Sequence, residues 1–326
     1  MLFKQSLIGV ILVCMNKLNS VSLLKVEQCS KTDTLNEETL QILSRSIIPE
    51  LEGKHKGEAG KIAVIGGSSE YTGAPYFSAI TALKVGADLV YVITTKEAAP
   101  VIKSYSPDLI VIPYPLDSNL IEILKRMHVI IIGPGLGRDP DVMDRFYSII
   151  DMCRNLKKPL VIDADGLYAV YKNITVIKDY PSPGIIMTPN FIEAQRIKNA
   201  IPSEHIPWYS YWGDFVTVLL KGEMDQYKSG NASFDWTITK GGSGRRAGGQ
   251  GDILSGALGT FFNWALKSNI CDDKNSTMLI QSISTYAAAK FTRECNFKAY
   301  EKHGRSMLAS DMLQEIHSVF ESTFLE

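Results

Sequence analysis

The stretch KIAVIGGSSEYTGAPYFSAITALKVGADLVYVIT, Lys61 to Thr94, carries the reading of the fold. It opens on a short apolar run ended by two glycines, passes a polar segment, and continues over Ala74–Ala87 with helical periodicity. It closes on DLVYVIT, a second apolar run rich in β-branched residues. Short apolar runs with no alternating polar face suit parallel strands covered on both sides. The same unit returns downstream. LIVIPY, HVIIIGPG, PLVIDADG, GIIMTPN and FVTVLLKG read as five further strands, and Asp139–Leu156 as a helix between two of them. Such alternation predicts a single doubly wound α/β domain. DQYKSGNASFDWTITK then reads as a hairpin turning at Ser229-Gly230-Asn231. Helices over Asp252–Leu266, Ser276–Cys295 and near Asp311–Phe324 are expected to fill the C-terminal third.

Bulk properties narrow the partners. A chain of 326 residues buries a large core, and a formal net charge of −1 provides no field to attract nucleic acid or anionic lipid. The five cysteines (Cys14, Cys29, Cys153, Cys271 and Cys295) are odd in number and scattered, with no C-x-x-C pair. That argues against a disulfide framework or zinc site and for a reducing compartment. The sequons at Asn173, Asn231 and Asn275 then read as chance occurrences. At the N-terminus, Lys4 precedes the apolar run Leu7–Met15, and Ser20-Val21-Ser22 has the small-x-small form of a cleavage site. The run is too short to span a bilayer. Residues 1–30 are therefore expected to form a targeting segment and residues 31–326 one domain, with no membrane attachment in the mature form. The address is mitochondrial or cytoplasmic; the missing arginine weakens a presequence and leaves the endoplasmic reticulum open.

In sheets of this kind ligands bind beyond the carboxyl ends of the strands. GGSSEYTGAP, GPGLGRDP, DADGL, TPNFIE and KGEMD all fall at that rim, together with GSGRRAGGQGDILSG, Gly242 to Gly256. This last stretch places five glycines and the pair Arg245-Arg246 ahead of Asp252 and a helix. Glycines let backbone N–H groups approach a ligand, and the arginines and helix N-terminus add positive charge, so the segment suits phosphate. The Asp252 carboxylate does not. It either caps the helix or handles a proton beside a phosphoryl group, and the residues alone leave both open. Other chemistries are excluded. There is no G-x-x-x-x-G-K-[ST] and no G-x-S-x-G, and the histidines lack metal spacing. Gly242, Gly244 and Ala247 satisfy G-x-G-x-x-A, but after the last strand and with no acid about twenty residues on, so a Rossmann hydride site is excluded too.

GGQGD, Gly248 to Asp252, resembles the G-x-G-D signature of ribokinase-like kinases, and NFIE, Asn190 to Glu193, their N-x-x-E element. Longer blocks between His55 and Leu313 resemble the ATP-dependent NAD(P)H-hydrate dehydratase family of eukaryotes. They include HKGEAGKIAVIGGSSEYTGAPYFSAITALKVGADLV, APVIKSYSPDLIV, GPGLGRD, VIDADGL, MTPN, GRRAGGQGDILSG and KHGRS. Ala247 stands where the family has Cys and Gly244 where it has Ser or Pro, and no epimerase domain is fused.

The resemblance implies a ribokinase-like three-layer α/β sandwich with a central, mostly parallel sheet. It implies a lyase that uses ATP, with Mg²⁺, to dehydrate the S-epimers of hydrated NADH and NADPH. The catalytic base would be Asp252. ATP would be held by Lys221, Gly222, Glu223, Met224 and Asp225, and by Gly242, Ser243, Gly244, Arg245, Arg246, Ala247, Gly248, Gly249, Gln250 and Gly251. The hydrated nucleotide would meet Gly137, Asn190, Phe191, Ile192, Glu193, Ala194, Gln195, Arg196 and Asp252. Glu193 would orient Mg²⁺ through water. A separate epimerase is the implied functional partner, and a homo-oligomer is left open. The alternative is a ribokinase-like kinase that stops at a phosphorylated vitamin precursor or sugar. From the residues, Glu193 reads equally as a first-turn helix acid; Asp163 and Asp165 suit a metal or ribose contact as a pair, or Asp165 caps the next helix, and neither is assigned to the site.

Overall fold

The structure, a computed structural model, describes residues 35–114, 117–202, 205–268, 270 and 276–326. The expected targeting segment, Cys14, Cys29, Cys271 and the sequon asparagine Asn275 lie outside the described residues. Helix α1 (Glu37–Ser46) precedes the first strand, β1 (Lys61–Ile65). The chain then alternates through α2 (Gly73–Val85), β2 (Leu89–Thr94), α3 (Ala98–Tyr105), β3 (Ile110–Pro113) and α4 (Asp117–Arg126). It continues through β4 (Val129–Ile132), α5 (Pro140–Asn155), β5 (Leu160–Ile162) and α6 (Asp165–Lys172). β6 (Ile185–Met187), α7 (Phe191–Ala200) and β7 (Val216–Leu220) complete the alternation. The hairpin β8 (Asp225–Lys228) and β9 (Trp236–Ile238) follows, then α8 (Gln250–Lys267), α9 (Ser276–His303) and α10 (Ala309–Phe320).

All nine strands join one sheet in the order β3-β2-β1-β4-β5-β6-β7-β8-β9. β1 to β7 pair in parallel, and β8 and β9 are antiparallel. Each central strand is apolar on both faces because each face is covered. Ile62 and Val64 of β1 pack into one core with α1, α2, α8, α9 and α10, whereas Ala63 and Ile65 pack into the other with α4 to α7. β4 divides in the same way, Ile131 to the first core and Ile130 and Ile132 to the second. Three layers result, as the resemblance implied. Between β1 and β4 the strand order reverses, which opens a crevice at their carboxyl ends.

Helix boundaries differ from expectation where tertiary contacts extend them. α8 begins at Gln250, with Gly249 as its N-cap, so Asp252 lies inside the first turn and is not the cap. α9 continues past Cys295 to His303, because Cys295 and Ala299 remain buried against the first core. The hairpin connection is longer than a tight turn and includes a 3-10 turn over Ala232–Phe234. Cys153 and Cys295 are buried free thiols, and burial pushes Cys153 up to about 12.

The small residues of LSGALG let α8 approach its neighbours. A Cβ on Gly256 would meet the backbone carbonyl oxygen of Ser78 in α2, so this position admits no side chain. Helix propensity alone gives Gly256→Ala a gain of about 1 kcal/mol. The contact reverses the sign, and overpacking is expected to cost about 1–3 kcal/mol in urea-induced unfolding. A stabilised variant would show that α2 and α8 are not in contact here.

Candidate active site

Beyond the carboxyl ends of β5 to β7 lies a cavity of about 680 Å³. Asp163 and Lys221 line it from the strand ends, the glycine-rich loop and first turn of α8 line its side, and Leu254, Asn296 and Met312 contribute from three helices. A second cavity, of about 580 Å³, lies over the reversal of strand order. Ser68, Ser69 and Tyr71 line it from the loop after β1, and Gly135, Gly137 and Arg138 from the loop after β4. Both have the size of small-molecule sites. Ala164 and Asp252 border both cavities.

The turn from β5 into α6 positions the charges. Ala164 has φ of 49°, a left-handed conformation uncommon outside glycine and maintained here at a site edge. It separates two carboxylates that serve different cavities. Asp163, 2% exposed, accepts from Lys221 Nζ at 2.7 Å. Asp165 accepts from the Gly137 backbone N–H at 3.0 Å and from Arg138 Nε at 2.7 Å, which secures the loop after β4. Asp165 thus holds a neighbouring loop.

Lys221 Nζ lies against the start of α8. A Cβ on Gly251 would come within 3.2 Å of its Nζ, so glycine leaves the ammonium next to the helix N-terminus. Burial lowers the Lys221 pKa, but the Asp163 and Glu193 carboxylates more than offset this, and it stands above the ordinary value. Asp252 shows the opposite balance. Burial raises its pKa first, the Asp163 charge raises it further, and Lys221 only partly compensates, so its carboxyl stands well above the usual range. Among the described residues nothing hydrogen-bonds the Asp252 carboxylate.

At the start of α7, Asn190 Oδ1 accepts from the Glu193 N–H at 3.0 Å, and Glu193 Oε2 accepts from the Asn190 N–H at 2.9 Å. This is a reciprocal capping box. It commits one Glu193 oxygen to the helix end, and burial raises the carboxyl's pKa. Phe191 and Ile192, exposed apolar side chains, stand beside it on the first cavity.

The two loop arginines diverge. Arg246 borders the first cavity and bridges it, donating to the carbonyls of Ser243 at 3.1 Å and Gly222 at 3.4 Å. Arg245 Nε donates instead to the Met307 carbonyl at 3.3 Å, on the α10 side of the loop.

The NAD(P)H-hydrate dehydratase family profile matches residues 62–318. The chain belongs to this family. It is 45% identical over 312 residues to the ATP-dependent (S)-NAD(P)H-hydrate dehydratase of Aedes aegypti, covering 94% of this chain and 91% of that one. Its fold is similar to that of a ribokinase-like superfamily protein from Enterococcus faecalis, with TM-score 0.72 and 19% identity, covering 90% and 97% of the two chains. It is also similar in fold to the ADP/ATP-dependent NAD(P)H-hydrate dehydratase of Bacillus subtilis co-crystallised with ATP/Mg²⁺, with TM-score 0.60 and 19% identity, covering 89% and 99%.

Within this dehydratase-family chain, the residues expected to hold ATP separate into two groups. Lys221, Gly222, Asp225, Gly242, Arg246 and Ala247 to Gly251 line the first cavity, whereas Glu223, Met224, Ser243, Gly244 and Arg245 lie off its surface. The residues expected to meet the hydrated nucleotide also divide. Gly137 lines the second cavity, but Asn190 to Glu193 line the first. Ala194 is buried beneath α7, and Gln195 and Arg196 are exposed and border neither cavity. Ser68, Ser69, Tyr71 and Arg138, to which the sequence assigns no role, line the second cavity, and Asp163, whose role the sequence leaves open, lines the first. The polar rim after β1 was visible, but only the loop packing shows which of its residues face a cavity.

The divergence of the arginines has a measurable consequence. Arg246→Ala is expected to raise the KM for ATP about tenfold, the worth of a charge-assisted contact. Arg245→Ala is expected to change it less, and to act mainly on melting temperature. Equal effects in steady-state kinetics would contradict the assignment.

Proposed function

We propose that this chain is a nucleotide-repair lyase that dehydrates the S-epimers of hydrated NADH and NADPH, consuming ATP. One observation carries the reading: Asp252 stands where a glycine-lined, phosphate-suited cavity meets the cavity at the strand-order reversal. A phosphoryl donor in the first and a hydroxyl-bearing ring in the second would meet at its carboxylate. The names of the family and of the Aedes aegypti relative support the same reaction.

The chemistry follows from the leaving group. Hydrated NADH carries a hydroxyl on the ring carbon beside the nitrogen, and hydroxide leaves poorly. Asp252 takes the hydroxyl proton while that oxygen attacks the γ-phosphorus and the bond to ADP breaks. Phosphate then departs with the carbon–oxygen electron pair, assisted by the ring-nitrogen lone pair, and loss of a neighbouring proton restores the dihydropyridine. Lys221 and Arg246 offset the charge that develops on the transferred group. Among the described residues no cluster of three His, Cys, Asp or Glu could enclose a metal. Glu193 borders the first cavity with one oxygen uncommitted by the capping box, which fits Mg²⁺ held mainly by phosphates and water with Glu193 contributing through water. When bound, the ion would supply charge neutralisation. The R-epimer would require a separate epimerase.

Incubation with ATP and hydrated NADH tests the reading. Recovery of reduced-nicotinamide absorbance supports it; ADP formation without that recovery would indicate a kinase. Residues 1–30 are proposed to carry only an address, and fusing them to a fluorescent protein is expected to relocate it. An unchanged distribution would contradict that role.

Asp252→Asn separates function from stability. Turnover is expected to fall about a hundredfold or more. The folded chain holds the Asp252 proton more tightly than the unfolded chain, because the folded pKa is raised. Stability is therefore lost as pH rises from the ordinary carboxylate range through the raised value. Asn, which does not ionise, escapes that loss, so the variant is expected to melt higher than wild type at pH values above that window. The wild-type kcat/KM profile is expected to lose activity on its acid side at a pH above the usual carboxylate range. A variant that keeps wild-type turnover would eliminate Asp252 as the base.

A further inference from the structure

Helix α9 runs as an apolar seam along the first core, with Ala287, Ala288, Phe291, Cys295 and Ala299 all buried. Arg293 interrupts that seam with a charged side chain only 10% exposed. Nothing in the packing of a core helix calls for a guanidinium here.

Its donors go to two separate segments. Nε donates to the Lys240 carbonyl at 2.7 Å, and Nη2 to the carbonyls of Gly241 at 2.8 Å and Glu223 at 2.9 Å. Nη1 faces Asp225 Oδ2 at 3.3 Å, and the other oxygen of that carboxylate accepts from the Gly222 N–H at 3.1 Å. The carbonyl of Arg293 itself accepts from the Gly242 N–H at 3.0 Å. Lys221–Met224 is the turn between β7 and β8, which Asp225 opens, and Lys240–Gly242 leads from β9 into the glycine-rich loop. Both segments border the first cavity, as does Arg293. A planar fork with five donors can span two backbone segments in this way, whereas an ammonium on a flexible stem cannot.

We infer that Arg293 is the positioning residue of the phosphate-donor cradle, fixing the separation of the β7–β8 turn and the glycine-rich loop. The inference rests on the ATP site proposed above. Lys221 and Gly222 on one side and Gly242 to Gly251 on the other must face one ligand together. Arg293 joins the two sides.

Steady-state kinetics of Arg293→Lys and Arg293→Ala in the full-length chain test this. Arg293→Lys keeps the charge and loses the fork. It is expected to raise the KM for ATP about tenfold or more, with the KM for hydrated NADH changing less than about twofold. Added guanidinium at millimolar, non-denaturing concentration is expected to lower the ATP KM of Arg293→Ala towards the wild-type value. An Arg293→Lys enzyme with wild-type KM for ATP would overturn the inference. So would a parallel rise in both KM values with a falling melting temperature and no guanidinium rescue, which marks a general structural role. If the wild-type chain itself consumes no ATP with hydrated NADH, the proposed function fails and this inference with it; failure confined to the variants strikes the inference alone.

Discussion

The close approach of α8 to α2 at Gly256 sets the position of everything at the rim. With the Ser78 carbonyl lying where a Cβ would stand, α8 settles deep against α2. Its buried face, from Ile253 to Ala265, then joins the first core. The helix N-terminus is carried to the carboxyl ends of the strands, next to Lys221 and Asp163. A helix held farther out by a larger residue would move Asp252 off the meeting line of the two cavities. A packing constraint two turns into the helix thus becomes a constraint on chemistry at its start.

The charges around that helix start form one system. Asp163 and Asp252 flank a single ammonium, Lys221, and the short ion pair goes to Asp163. Asp252 has the burial without that closest partner, and its carboxyl stands above the usual range. Under the proposed function, a triphosphate in the first cavity would bring further negative charge, which would raise the Asp252 carboxyl further. Glu193 is placed differently, since its capping box fixes its orientation through the backbone of α7.

Much of this was legible in the chain alone. The seven parallel strands were visible because each is covered on both faces, so that Ile62 and Ala63 of β1 had equal reason to be apolar. The glycine-rich loop and Asp252 were visible because that density of glycine, beside two arginines and a helix start, suits a ligand-facing backbone. The role of Asp252 as something other than an N-cap was not, since the helix starts two residues earlier, at Gln250, with Gly249 capping it. Nor was the separation of Asp163 from Asp165. Two acids two residues apart read alike in sequence, and the left-handed Ala164 between them sends one to Lys221 and the other to Gly137 and Arg138.

The sequence by itself determined the layer architecture, the family, and the segments that gather at the rim. Each of these follows from local periodicity, turn chemistry or contiguous motif, which neighbouring residues specify among themselves. Only the tertiary structure decided which rim residues share a cavity. Asn190 to Glu193 join the glycine-rich loop in the first cavity, Gly137 joins the loop after β1 in the second, and Arg245 and Arg246 part company. The same holds for Arg293, whose partners at Glu223 and Lys240 lie 70 and 53 positions away. Such contacts depend on how separate segments are brought together by the sheet and by α9, and no local pattern in the chain encodes that distance.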